Sequence, residues 1–148
     1  MSLENTISDA IKTAMREKDR TALDALRAVK SQILLLKTEA RGVEVSPEQE
    51  IAIVQRMIKQ RKDSYEQFSA QNRNDLAEVE LAQMKVIEQF LPAQLSEDEL
   101  KLAIEQIIAD VQAESMKDMG KVMGQASKTL AGKSDGKAIS EMVKKLLS

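Results

Sequence analysis

The chain has 148 residues and a formal net charge of −2, with no cysteine and no histidine. Those absences exclude disulfides, thiolate nucleophiles, imidazole acid–base chemistry and ordinary zinc sites. Two prolines, five glycines and only three aromatics (Tyr65, Phe68 and Phe90) favour long helices over strands. Eight methionines add adaptable core volume.

Apolar spacing and start signals predict helices near residues 3–17, 20–40, 47–71 and 74–90, and then 97–112, 116–131 and 135–147. In the second, Leu26, Val29, Ile33 and Leu36 fall on one stripe. The run Ile33-Leu34-Leu35-Leu36 is wider than one helical face, so part of it is expected at the surface or against another chain.

The third helix opens on Ser46-Pro47-Glu48-Gln49, which combines an N-cap serine, proline at the first position and a capping-box glutamine. Its stripe is Ile51, Val54, Ile58, Tyr65 and Phe68. Arg56, Lys59, Arg61 and Lys62 form a basic patch on it. Lys59 with Asp63 and Lys62 with Glu66 are spaced to close as ion pairs, and Arg61 lies beside the apolar stripe.

Leu91-Pro92-Ala93-Gln94-Leu95 breaks the helical pattern, because proline cannot continue a helix interior. The expected fold is all-α: an N-terminal four-helix bundle over residues 1–92, then a small three-helix domain over 96–148. Ser96-Glu97-Asp98-Glu99 and Ser115-Met116-Lys117-Asp118 are capping boxes that open the fifth and sixth helices. Gly42 and Gly132 stand where C-terminal caps belong. Leu100, Ile104, Ile107 and Val111 form the stripe of the fifth helix, and Ile139, Met142, Val143 and Leu146 that of the last.

Charge is uneven along the chain. From Ser115 onward seven lysines face three acids, a local balance of +4, which leaves −6 for everything before. On a helical wheel Lys117, Lys121, Gly124 and Lys128 share one stripe, and Met116, Met119, Met123, Ala126 and Leu130 another. A helical glycine costs about 1 kcal/mol relative to alanine. Flanked by ammonium groups, that Cβ-free spot suits the close approach of a phosphate or a backbone.

Gly132-Lys133-Ser134 ends like a phosphate-binding loop, but Ser127 stands where the pattern needs its first glycine. A weaker reading keeps Ser134, Asp135 and Gly136 as the start of the last helix, with Lys133 and Lys137 beside an anion seat. Acidic clusters at helix starts offset the macrodipole. No catalytic constellation emerges, and no cofactor is expected. Without aromatic platforms, any RNA contact should be to backbone and shape.

No apolar run reaches the ~18 residues of a membrane span. The start MSLENTISDAIK lacks a basic region followed by an apolar core, so a cytoplasmic protein with no membrane contact is expected.

The segments IKQRKDSYEQF, NRNDLAEVE, FLPAQLSEDEL, MKDMGKVMG and GKSDGKAI each resemble the GatB/YqeY-type family, in order and along the whole length. The last fifty-odd residues also resemble the tail domain of the B subunit of the tRNA-dependent Asp/Glu amidotransferase. That likeness implies a two-part helical fold whose second part holds tRNA. It places Gly124-Gln125, Lys128, Gly132-Lys133 and Lys137 at the RNA. A role as accessory to an amidotransferase or synthetase is also implied, under the family label of carbon–nitrogen ligase with glutamine as amido donor. The catalytic parts behind that label are absent from the segments matched. Ala131 and Asp135-Gly136 depart from the expected lysine and Asn-Pro. A protein–protein adaptor built on the N-terminal bundle is the third reading.

Overall fold

The computed structural model describes residues 2–42 and 44–148, and its elements are helices throughout. Four form the first unit: α1 (Leu3–Glu17), α2 (Arg20–Glu39), α3 (Pro47–Ala70) and α4 (Asn74–Glu88). Three form the second: α5 (Glu97–Val111), α6 (Met119–Thr129) and α7 (Gly136–Leu147). Residue contacts divide the chain between Leu91 and Pro92. All elements expected from spacing are present, with ends within about two residues except the start of the sixth helix, which comes three residues later.

In the first unit, short connections turn the chain back on itself. Lys18 takes a left-handed φ of 56° to end α1, and Asp19 caps α2 by accepting from the Ala22 amide at 3.1 Å. Asn72 makes the corresponding left-handed turn before α4. Helix α2 packs on α1 and α4, and α4 packs on α3. Ile7, Val29, Ile33, Val54 and Ile87 are fully enclosed at the centre. Both bonds of the capping box at Ser46 and Gln49 form, at 3.2 and 2.9 Å.

The basic patch on α3 differs from expectation. Lys59 with Asp63 and Lys62 with Glu66 do not approach as ion pairs. Among the described residues the pairs formed are Lys37 with Glu4 and Arg73 with Asp75. Exposed pairs at this spacing gain only a few tenths of a kcal/mol, about the entropy of holding two long side chains. Arg61 is half-buried instead. It donates to Gln83 Oε1 at 3.1 Å and to the Met57 carbonyl at 3.2 Å. Burial lowers its pKa from the usual guanidinium value, and the Glu80 charge opposes that.

The second unit is a three-helix arrangement in which each helix touches the other two. Leu100, Ile104, Val122, Ala126, Ile139 and Val143 build a core separate from that of the first unit. The capping box at Ser96 and Glu99 closes at 3.1 and 3.2 Å. The bond from the Ser96 amide holds the Glu99 carboxyl below its ordinary pKa.

Candidate nucleic-acid interface

The sixth helix begins later than its sequence suggests. Residues Met116–Asp118 form one 3-10 turn, and the α-helix starts at Met119. The expected capping box at Ser115 is not made. Ser115 Oγ accepts from the Lys117 amide at 3.4 Å, while Asp118 reaches back to the Glu114 amide at 2.9 Å. That bond is the main reason the Asp118 carboxyl titrates below its usual value, with the nearby Lys121 charge adding to it. A 3-10 turn advances about 3.0 residues per revolution instead of 3.6. Met116 is therefore rotated out of the expected stripe and left exposed, and Val122 takes the buried place.

The basic stripe keeps its outward direction. Lys117, Lys121, Gly124 and Lys128 are all exposed, and none of the three lysines joins an ion pair among the described residues. A Cβ placed on Gly124 would meet nothing within 4 Å, so no neighbouring helix explains the glycine. The same holds for Gly120 one turn earlier, a residue outside the expected basic stripe. Together the two glycines bare the backbone over a full turn of α6. The signal was the i, i+4 repeat Gly-Lys-Val-Met-Gly. From Lys121 to Lys128 this face runs about 10 Å at 1.5 Å per residue.

The turn after α6 is shaped differently from the anion seat expected there. Ser134 is not the cap of α7. Asp135 is, accepting from the Ala138 amide at 2.7 Å. A carboxylate already occupies the helix start and repels a second anion, which corrects the expectation of a vacant seat. Gly132 is buried with φ at 76°, a left-handed conformation that suits glycine. Its carbonyl accepts from Gln94 Nε2 at 2.6 Å, and the Lys133 carbonyl accepts from the Leu95 amide at 2.9 Å. Gln94 thus clamps the turn to the segment before α5. Gly132 shapes the turn from inside, and the side chains of Lys133 and Lys137 are exposed on it.

The described residues contain no cluster of acids able to hold a metal. No helix among them is long and apolar enough to cross a membrane. These features define a class: an all-helical chain of two units, the second presenting unpaired lysines around bare helical backbone.

Residues 4–147 match the family model described as Yqey-like protein, and the chain belongs to that family. It is similar to altered inheritance of mitochondria protein 41, mitochondrial, of Pyrenophora tritici-repentis. Identity is 26% over 141 residues, covering 93% of this chain and 76% of that protein. The protein of the same name from Meyerozyma guilliermondii is 34% identical over 92 residues. That match covers 59% of this chain and 45% of the relative.

Both relatives are named as mitochondrial proteins, which overturns the expectation of a cytoplasmic protein. Lack of cysteine, mild acidity and helical amphipathicity suit any reducing aqueous compartment, so composition could not discriminate between them.

Proposed function

We propose that the second unit binds structured RNA, with tRNA as the first candidate, through the exposed face of α6 and the 3-10 turn before it. Lys117, Lys121 and Lys128 contact phosphates, Gly120 and Gly124 admit the backbone closely, and Lys133 and Lys137 extend the basic surface at the turn. Gly132 holds that turn in shape. The observation that carries this reading is Gly124, open to solvent between unpaired lysines.

Helix energetics add support. Lys121 lies in the first turn of α6, where a cation opposes the macrodipole, and the nearby acid, Asp118, stands just before that turn. Two exposed glycines weaken the same helix further. A sequence selected for helix stability alone would place alanine and glutamate there. A polyanion relieves both penalties by binding the cations and covering the bare backbone.

Fluorescently labelled tRNA titrated at two salt concentrations tests the reading. If three to five phosphates are neutralised, log K falls with log salt at a slope of roughly −2 to −4. A slope near zero, or no binding at low salt, contradicts it.

Gly124→Ala separates function from stability. The new methyl meets open space, so the helix gains about 0.5–1 kcal/mol. The melting temperature of the second unit then rises by about 3–6 °C. Affinity for tRNA falls, because the methyl occupies the point of closest approach. A variant that is more stable and binds equally well removes Gly124 from the interface.

A further inference from the structure

The leucine-rich run of α2 is left over by the RNA reading. Ile33 is buried and Leu36 packs at the edge of the core, but Leu34 and Leu35 are 44% and 53% exposed. Leu35 and Leu36 line a groove of about 490 Å³ between α2 and α3, floored by Ile53.

Its two ends are oppositely charged. At one, Arg56 on α3 donates to Gln32 on α2 at 3.1 Å. Glu39 lines the other end, about 10 Å further along α2. Neither Glu39 nor Arg56 has an ion-pair partner among the described residues.

We propose that this groove is the contact between two copies of the chain, with the two α2 helices antiparallel about a two-fold axis near Leu35. A two-fold contact repeats every pairing. Antiparallel α2 helices bring Glu39 of each copy to Arg56 of the other, so the surface supplies its own complement at both ends. A foreign helix would have to bring both charges in the right order; a second copy brings them by symmetry. Between them, Leu35 of each copy covers the groove of the other and is removed from water.

Sedimentation equilibrium of the full chain, from micromolar to hundreds of micromolar, tests this without any RNA. The wild type is expected to show a concentration-dependent dimer, and Leu35→Glu a monomer. Leu35 is exposed within the chain, so that variant folds, as far-ultraviolet circular dichroism will verify. Glu39→Arg and Arg56→Glu each set like charges face to face twice, raising the dimer dissociation constant about tenfold or more. The double variant Glu39→Arg/Arg56→Glu restores both attractions and recovers near-wild-type dimerisation. A wild type that stays monomeric throughout overturns the proposal. So does a dimer indifferent to Leu35→Glu, or a double variant no better than the single ones.

Discussion

A chain carrying Lys117→Glu, Lys121→Glu and Lys128→Glu will bind tRNA about a hundredfold more weakly, or worse. Each neutralised phosphate releases a counterion, and that release is the larger part of a sequence-independent affinity. On the proposed reading the substitutions remove three such contacts and add three repulsions, two on α6 at Lys121 and Lys128 and one on the 3-10 turn before it at Lys117. The salt dependence should collapse with the affinity, because few phosphates remain paired.

Misfolding will not account for that loss. All three lysines are exposed and join no ion pair, so the only internal interaction lost is the attraction of Lys121 to the exposed Asp118 carboxylate. Lys121→Glu in fact places an acid in the first turn of α6, which the helix dipole favours. That gain opposes the repulsion between the new carboxylate and Asp118, so the melting temperature should change little while binding disappears. Lys12→Glu, Lys85→Glu and Lys101→Glu together provide the control. They change net charge equally at exposed sites off α6, and they should cost far less affinity. Fluorescence anisotropy at low salt measures both variants. Equal losses would mean that overall charge, and not the α6 face, governs the interaction.

What the sequence disclosed and what it hid follow from the range of the interactions involved. Helix starts are local, so Ser46 with Gln49 and Ser96 with Glu99 could be read directly, and both boxes form. The stripes Leu26, Val29 and Ile33 on α2 and Leu100, Ile104 and Ile107 on α5 are buried for the same reason: one period governs pattern and packing.

Helix ends were harder. Lys18 and Gln112 adopt left-handed φ values without being glycine, and such residues carry no compositional mark. The 3-10 turn at Met116 depends on where one carboxylate goes. Asp118 accepts from the amide of Glu114, and the α-helix begins one residue after it, at Met119. Gln94 and Gly132 lie 38 positions apart, beyond any local pattern, so the clamp on the basic turn was invisible. At the site, direction was legible and vacancy was not. The wheel placed Gly124 outward with the lysines, but only coordinates reveal that nothing stands above it.

Ile104→Ala will unfold the second unit selectively. Ile104 is fully buried at the centre of a core that shares no residue with that of the first unit. Removing its outer carbons costs about 2–5 kcal/mol in transfer and cavity terms. A unit of ~60 residues holds only about 3–9 kcal/mol in total, so little margin survives. The core of the first unit is untouched.

The chain has one tyrosine, Tyr65 on α3, and no tryptophan, so intrinsic fluorescence reports on the first unit alone. Far-ultraviolet circular dichroism reports on all seven helices. On heating the variant, helicity should fall in two steps, the earlier one silent in tyrosine emission. tRNA binding should vanish with that early step, because α6 melts in it. A single transition shared by both probes would mean that the two cores unfold as one cooperative body. Losing Ile104 would then lower the tyrosine transition as much as the helical one, and the division at Pro92 would mark a bend in one folding unit.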